Sequence, residues 1–565
     1  MLLISVIRYD NKFTDLMKHV NYKCSVYFIL FFSALVRCIG LTDRYLWCDE
    51  ASSVLTSRYD VTALLYHASF DVHPPLYYVL LHGWMIWLGD GIMAVRSLSV
   101  LFGVMTVALT LRLTRELTNA RTALLSGWLM AMMPLAVRYS QEARMYALMG
   151  LLILAATLAL VMWLKTPTTR RYLVAYVLLM TLSFYTHYFT IFALVAQWCG
   201  VALVSWRQVS ANRILTRPAW WLANIAIGVA YIPWLLVLLN LLSHLEALRA
   251  GGDVGWITPV TWRDLPAMFF RFLTGSEGLN YPGVFLWLVL LVLFGACCGT
   301  RRGDRDETYG VLLCNLWVPV ILVFALSWLT PLFVDRYVFF ASLSLPIVLA
   351  IRIAECRTRA YRSLWITLLS VVSFFGLYNA HPSEKDAFRA LVQDLNIQYA
   401  PDDVVVVSDM FHYLSYVYYN EQGHRALLYT PTQLDGTSGQ PNAYGFGTFF
   451  HAQAAHTYVD DLATLSPRHR RVWLVSGDDF TRDFKAIPPG WVSVGVVNRG
   501  WFSARLFVTE KQQAATKPAH SVLFTNNSHV QPRCERVPLP EYNVNSNLFK
   551  ERKCKRKRPI VCVVC

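Results

Sequence analysis

A polar segment after the first apolar stretch holds the residues best suited to chemistry. It contains the adjacent pair Asp49-Glu50 and the later run Asp71-Val72-His73-Pro74-Pro75. A carboxylate within reach of an alcohol can accept its proton during attack on a substrate. The prolines bias His73 toward an extended backbone, and a histidine held beside Asp71 suits binding of a phosphate or a metal. The segment is therefore a candidate reaction site.

Three further polar groups stand at the ends of apolar stretches. They are Arg138, Gln141, Glu142 and Arg144 in one group, His187 in a second, and Arg336 with Tyr337 in a third. The planar guanidinium of arginine binds phosphate with two charge-assisted hydrogen bonds. Two alternatives stay open, because the group at 138–146 could form an ion pair that joins helices, and a lone turn histidine is more often structural.

The composition indicates that these groups belong to a membrane protein. The chain has 565 residues, of which 55% are hydrophobic and 15% charged, which exceeds what one soluble core needs. Runs of about 20 apolar residues, the length that crosses a bilayer, recur along the chain and predict eleven membrane spans. The predicted spans are about 24–41, 95–113, 122–138, 145–164, 172–187, 189–206, 219–241, 283–299, 310–329, 335–353 and 363–379.

The positions of lysine and arginine predict the orientation. Basic residues cluster before the first predicted span and in alternate loops, for example at Lys165, Arg170 and Arg171, and such loops stay cytoplasmic. The net charge of +15 is therefore attributed to topology rather than to nucleic-acid binding. Residues 76–89 are too short to cross comfortably and are predicted to lie flat at the outer interface. The loop 42–94 and the other candidate groups then share the outer face.

The composition also divides the chain. Residues 1–23 form a predicted cytoplasmic N-terminus, 24–382 an α-helical membrane domain, 383–510 a small outer α/β domain, and 511–565 a disordered basic tail. Within the α/β domain, strands are expected at 404–407, 471–475 and 491–497. Its expected role is that of a lid or docking module. The cysteine spacing implies no disulfide.

Five motifs together carry a family resemblance. They are Trp47-Cys48-Asp49-Glu50, Asp71-Val72-His73-Pro74-Pro75-Leu76, Gln141-Glu142-Ala143-Arg144-Met145-Tyr146, Thr186-His187-Tyr188 and Asp335-Arg336-Tyr337. Over about residues 40–380 the chain resembles the polyprenyl-phosphate-sugar-dependent glycosyltransferases of the GT-C superfamily, and is family 39-like. That group includes relatives of protein O-mannosyltransferases and of the transferase that adds aminoarabinose to lipid A. The resemblance implies a polytopic helical GT-C fold whose first outer loop, 42–94, builds the active site.

The resemblance also implies an activity. A mannose or similar sugar would pass from a polyprenyl-phosphate donor to an acceptor hydroxyl with inversion, and Asp49 would be the general base. Glu50 would orient the acceptor or a metal, His73 with Asp71 would contact the phosphate or metal, and Arg144 and Arg336 would neutralise the leaving phosphate. No cofactor is certain, although a divalent cation is possible.

The expected partners and location follow from the same resemblance. They are the lipid donor, a glycan, lipid or protein acceptor, and membrane lipid, but no nucleic acid. The protein would lie in a bacterial inner membrane with its site and α/β domain facing the periplasm. One alternative is a transporter or flippase of a lipid-linked sugar, and another is a scaffold whose polar motifs only join helices. Predicted spans that are mostly uncharged at their centres and an absence of internal repeats favour the enzyme.

Overall fold

The computed structural model describes residues 21–207, 214–244, 257–275, 308–379, 386–432, 436, 439–449, 454–466 and 468–509. Three predictions lie outside these residues: most of the N-terminal segment 1–23, the span at 283–299 and the basic tail 511–565.

The described residues between 21 and 379 are mostly helical and carry the candidate groups. In chain order the helices are α1 (21–38), α2 (Cys48–Arg58), α3 (Val61–Ser69), α4 (Leu76–Leu88), α5 (Ile92–Leu117), α6 (Ala120–Met132), α7 (Pro134–Ser140), α8 (Tyr146–Lys165), α9 (Arg170–Phe184), α10 (Thr190–Arg207), α11 (Pro218–Ser243), α12 (Asp264–Thr274), α13 (Tyr309–Leu326), α14 (Asp335–Ser342), α15 (Leu345–Ala354) and α16 (Arg359–Asn379). A short 3₁₀ turn, Ile214–Thr216, precedes α11.

Length and composition confirm the eleven-span prediction in part. Within the described residues, six helical stretches are long and apolar enough to cross a membrane, and the bent pair α6–α7 makes up to seven. The six are α5, α8, α11, α13, α14 with α15, and α16. The predicted span 172–187 falls on α9, whose 15 residues reach only about 22 Å at 1.5 Å per residue. The 13-residue α4 is likewise short, as expected, and its placement flat on the membrane stays a prediction.

A bend between α6 and α7 places one of the candidate groups. Pro134 is the first residue of α7, and Met133 before it has the extended backbone that a following proline favours. The two helix axes consequently differ by 60°. The break ends the apolar run early, so that Arg138 and the turn after it lie where helix ends meet.

A six-stranded sheet follows the membrane helices. Its elements are α17 (Ala387–Gln398), β1 (Val404–Val407), α18 (Met410–Tyr419), β2 (Ala426–Tyr429), a 3₁₀ turn (Gly445–Phe449), α19 (Ala454–Thr457), β3 (Tyr458–Val459), a 3₁₀ turn (Leu462–Leu465), β4 (Arg471–Ser476), α20 (Phe480–Asp483), β5 (Val492–Arg499) and β6 (Phe502–Val508). The strand order is β3-β2-β1-β4-β6-β5, with β1 to β4 parallel and the last two pairings antiparallel.

The three predicted strands correspond to β1, β4 and β5. Side chains of a strand alternate between the two faces of its sheet. All four side chains of β1 are buried, so both faces of the sheet are covered there. Val405 and Val407 belong to the large cluster that includes the membrane helices, whereas Val404 and Val406 belong to a second cluster within the sheet region. The strands β2 and β3, of four and two residues, are too short for a periodicity to predict. The bounds 383–510 of a separate domain stay a prediction.

The sheet region is joined to the loop that precedes α2. The Leu46 amide donates to the Tyr419 hydroxyl at 2.7 Å, and the Asp386 amide donates to the Asp43 carbonyl at 2.8 Å. The Tyr45 ring packs against Phe388 and Phe502, with centroids 5.7 Å and 5.3 Å away. These contacts fix the residues immediately before the Asp49-Glu50 pair.

Candidate functional site

Asp49 lies between two arginines that are distant in the sequence. It is in the first turn of α2, where the helix dipole favours a negative charge. Its Oδ2 accepts a hydrogen bond from Arg336 Nη1 at 2.9 Å and lies 3.9 Å from Arg144 Nη2. The Asp49 side chain is 14% exposed, so the carboxylate is accessible to a small group. Two guanidinium groups therefore face one carboxylate.

Arg144 is buried and only partly satisfied. Its Nη1 donates to the Asp49 carbonyl at 2.9 Å and to Ser53 Oγ at 3.0 Å. Its Nη2 lies 3.4 Å from His73 Nε2. Its Nε is buried with no hydrogen-bond partner. An unpaired buried donor costs free energy, about 1–3 kcal/mol, so this nitrogen favours an added acceptor.

The Asp71 and His73 side chains adjoin Arg144, as the proline run predicts. Asp71 accepts hydrogen bonds from the Tyr78 hydroxyl and its neighbouring Val72 amide, both at 2.7 Å, and its Oδ1 lies 3.8 Å from His73 Nδ1. Burial, and then the charge of Arg144, lower the pKa of His73 below its ordinary value. Burial acts to raise the pKa of Asp71, but His73, Tyr78 and Arg144 lower it overall. The pair is thus a carboxylate beside a neutral imidazole.

His187 completes this side of the site. Its Nδ1 accepts a hydrogen bond from the Phe189 amide at 3.1 Å, which assigns the ring proton to Nε2. That Nε2 is buried with no hydrogen-bond partner. The ring centroid lies 5.5 Å from that of His73 and 5.8 Å from that of Tyr337. Burial is the main cause that lowers the pKa of His187 well below its ordinary value, and the positive charges of Arg144 and Arg336 add to the effect.

Glu50 is hydrogen-bonded within the protein, and its expected role in orienting an acceptor or a metal stays a prediction. Its side chain is fully buried and accepts hydrogen bonds from Arg96 Nε at 2.8 Å and from Arg96 Nη2 at 2.6 Å. The Ala143 amide donates to the same carboxylate at 2.7 Å. These bonds use both carboxylate oxygens, and they hold α2 against α5 and the turn before α8.

The side chains at 138–142 form an ion pair and hydrogen bonds within the protein, which is the structural alternative given for this group. Arg138 Nε and Glu142 Oε1 are 3.2 Å apart, and Gln141 donates to the carbonyls of Arg37 and Ile39 at 3.1 Å and 2.8 Å. Burial raises the pKa of Glu142, while Arg138 opposes the rise. The three side chains join α1 to the α7–α8 turn and leave Arg144 as the member of the group beside Asp49.

Two residues that contribute to the site, Arg96 and Trp47, were not among the candidate site residues inferred from the sequence. Arg96 stands near the start of an apolar helix, and a charge in such a position is a signal that it has a buried partner. Trp47 places its ring 5.6 Å from the guanidinium of Arg336, a cation–π contact that orients this arginine. Its signal was its position two residues before Asp49.

The described part of the chain shows no metal centre. Among the residues that the structure describes, no group of three or more His, Cys, Asp or Glu side chains is arranged to hold a metal ion. The possible requirement for a divalent cation stays a prediction, and no chemical step below is assigned to one.

A cavity of about 1140 Å³ opens on the Arg336 side of Asp49. Residues of α1 and α16, including Phe32 and Phe374, form its apolar part. Trp47, Arg138 and Arg336 form a polar and aromatic part beside the site, and Trp501 of the sheet region lies over it. Asp49, Arg144 and His187 do not line this cavity, which adjoins the site through Arg336 and Trp47.

Part of the chain matches a known protein family. Residues 72–236, which are 165 of the 565 residues, match the family model described as dolichyl-phosphate-mannose-protein mannosyltransferase. No curated protein sequence gives a significant match.

Two solved structures share the fold over most of their length. The ArnT of Cupriavidus metallidurans in the apo state is 12% identical, with a TM-score of 0.59 over 86% of this chain and 98% of that one. The same protein bound to undecaprenyl phosphate gives 12% identity and a TM-score of 0.58 over 87% of this chain and 99% of that one. The apolar helices and the family match show that this chain is a membrane protein. The predicted helical fold with a small C-terminal sheet is confirmed.

Proposed function

We propose that this chain is a glycosyltransferase of the GT-C superfamily and that it moves a sugar from a polyprenyl-phosphate donor to an acceptor hydroxyl. The family-model match and the shared fold support this proposal. We propose mannose or a similar sugar and inversion at the anomeric carbon. The site and the sheet region would face the periplasm of a bacterial inner membrane, opposite the basic loops. The acceptor would be a glycan, a lipid or a protein.

One observation supports this proposal most directly. The Asp49 carboxylate lies against Arg336 and Arg144, beside two buried donors without partners, Arg144 Nε and His187 Nε2. A phosphate offers several oxygens and a negative charge, so it satisfies these donors and competes with Asp49 for the guanidinium groups. Binding of the donor would thus release Asp49 to act as a base.

The proposed reaction then needs one step. The acceptor hydroxyl oxygen attacks the anomeric carbon, its proton passes to Asp49, and the bond between that carbon and the phosphate oxygen breaks. The polyprenyl phosphate leaves with the bonding electron pair, and Arg144 and Arg336 stabilise its added charge. A single displacement inverts the anomeric centre and requires only one base.

The other candidates receive supporting roles in this proposal. His73, held by Asp71, and His187 would donate or orient hydrogen bonds at the phosphate, and Tyr337 would pack against His187. Glu50 is reassigned as a positioning residue that holds α2 through Arg96. Arg138, Gln141 and Glu142 would position the turn that carries Arg144.

The test uses the full-length protein purified in detergent. Radiolabelled polyprenyl-phosphate sugars are supplied one at a time with a membrane acceptor fraction, and transferred label is counted. We expect Asp49→Asn to lower kcat about 10²–10⁴-fold, as removal of a general base does. Binding of the donor should not weaken, because the variant no longer competes with the phosphate for the guanidinium groups. Wild-type protein that transfers no label from any such donor would overturn the proposal.

Asp90→Asn is the matched control. Asp90 pairs with Arg58 at 2.9 Å but its side chain is 51% exposed and lies outside the site, so this variant should retain turnover. A thermal unfolding midpoint for both variants shows that each is folded. Equal loss in Asp49→Asn and Asp90→Asn would assign the effect to the fold and not to a base.

A further inference from the structure

The cavity beside Asp49 is covered by a segment of the sheet region. The turn between β5 and β6 contributes Gly500, Trp501 and Phe502 to its lining, and Asp386 and Ala387 contribute a second edge. The same cavity includes Trp47 and Arg336, which contact the proposed reaction centre. The sheet region therefore takes part in the enclosure of a substrate cavity.

Trp501 is the unusual residue of this turn. Its side chain is 78% exposed although indole is among the largest apolar groups, and because it lines the cavity, a ligand bound there can cover the ring. Gly500 before it has φ of 53°, a left-handed conformation that a residue with a side chain adopts at a cost. The tight turn thus presents the ring at its tip.

The turn is held in place by its neighbours. Phe502 packs against Phe388 at 4.9 Å and against Tyr45 at 5.3 Å, measured between ring centroids. Tyr45 belongs to the loop that precedes Asp49, and Leu46 in that loop is hydrogen-bonded to Tyr419. The turn that carries the indole is consequently anchored to the loop before Asp49, which reduces the cost of ordering it when a ligand arrives.

The composition of the cavity indicates an amphipathic occupant. Its far wall is made by apolar side chains of α1 and α16, and none of the residues of α16 is buried. Its near wall is aromatic and charged, with Trp47, Trp501 and Arg336. A lipid chain fits the first wall and a sugar ring, which has an apolar face and a polar edge, fits the second.

We propose that Trp501 is a stacking platform for a sugar ring of the acceptor, and that the acceptor is a glycan carried on a lipid. This inference rests on the proposed transferase function and specifies its acceptor. The buried donors Arg144 Nε and His187 Nε2, which do not line this cavity, are left for the phosphate of the donor. Trp501 is then a specificity-determining residue, and the sheet region selects the acceptor.

The experiment measures transfer of label from the donor into two acceptor fractions of the source membrane, a total lipid extract and delipidated protein. We expect label in the lipid extract. Trp501→Ala should raise the amount of lipid extract needed for half-maximal transfer about tenfold, the effect of losing one good stacking contact. Its kcat and its KM for the donor should stay unchanged, and Trp501→Phe should restore most of the loss.

Trp87→Ala is the matched control. Trp87 ends α4 and is 87% exposed, and it does not line the cavity, so its removal should leave the acceptor requirement unchanged. A photoreactive benzoylphenylalanine at position 501 should also crosslink to a glycan-bearing lipid in native membranes.

The outcomes separate this inference from the proposed function. Label found in protein, an unchanged acceptor requirement in Trp501→Ala, or a crosslink to phospholipid alone would overturn the inference while wild-type transfer still supports the transferase. A crosslink to phospholipid alone would make Trp501 an interfacial anchor. Wild-type protein without transfer to either fraction would overturn both.

Discussion

At the scale of single residues, the site depends on which polar atoms are paired and which are not. Asp49 and Glu50 are adjacent, yet Glu50 is fully buried with both oxygens bonded and Asp49 is partly exposed between two arginines. A carboxylate that is enclosed by fixed donors positions an element, whereas one that shares arginines with an incoming phosphate can change partners. This difference in environment assigns different roles to two chemically similar neighbours.

Burial of His187 predicts a pH dependence of stability. Its pKa in the folded protein is well below its ordinary value of 6.5, so below about pH 6.5 the unfolded chain binds more protons than the folded one. Stability therefore falls as the pH is lowered from 6.5. We expect the unfolding midpoint of His187→Gln to fall less steeply than that of wild type between pH 8 and pH 5.5, measured by tryptophan fluorescence in detergent.

The control for this pH series is His456→Gln, because His456 is exposed. Its curve should follow that of wild type. If His187→Gln loses stability as steeply as wild type in acid, the buried imidazole is not a source of the pH dependence.

At the scale of elements, the site is built where helix ends meet and where one loop connects two regions. Residues 43–46 lead into α2 and are fixed by α17 and α18 of the sheet region. The proline bend between α6 and α7 brings Arg144 to the same place, and α14 begins with Asp335 and Arg336. Polar groups at the ends of apolar helices can meet without being buried inside the membrane core.

Removal of one hydroxyl should test the connection between the loop and the sheet region. Tyr419 accepts from the Leu46 amide and donates to Asp386 Oδ1 at 3.2 Å. Tyr419→Phe leaves the buried Leu46 amide without an acceptor, which should cost about 1–3 kcal/mol. We expect faster hydrogen exchange in a peptide that covers residues 43–48, measured by mass spectrometry, together with lower kcat.

Tyr399→Phe removes a comparable hydroxyl from the same region. The Tyr399 hydroxyl donates to the Asp403 carbonyl at 2.6 Å and makes no contact with the loop before α2. Exchange at residues 43–48 should be unaffected in this variant. Unchanged exchange in Tyr419→Phe would show that the hydrogen bond does not restrain the loop.

At the scale of the whole molecule, charge asymmetry predicts which face carries the reaction. Basic residues flank the turn between α8 and α9, at Lys165, Arg170 and Arg171, whereas the candidate site lies at the opposite ends of these helices. Retention of basic loops in the cytoplasm would place the site and the sheet region outside. This orientation suits a donor that is supplied on the outer face of the membrane.

Epitope tags test this orientation. One tag is inserted after Thr168 in the α8–α9 turn and another after Gly423 in the turn before β2. On intact spheroplasts, antibody should bind the tag at 423, and should reach the tag at 168 only after permeabilisation. The reverse pattern would invert the topology, and transfer activity of each tagged protein confirms that it is folded.

The sequence determined the class of the protein and the residues of interest. Hydropathy over about 20 residues is a local property, and so are proline runs and charged groups at span ends, which is why the membrane helices, strand β1 and the Asp49, His73, Arg144 and Arg336 candidates could be predicted without coordinates. The roles inferred from family resemblance, including that of Asp49 as a base, stay predictions that the proposed experiments test.

The tertiary structure decided which of these residues share a site. Asp49 meets Arg336 across 287 positions and Glu50 meets Arg96 across 46, and no local pattern specifies such pairs. They depend on the packing of whole helices, on the bend at Pro134 and on the contact of the sheet region with residues 43–46. The same packing placed Trp501 over the cavity, since the position of a strand turn above distant membrane helices depends on contacts that its own sequence does not contain.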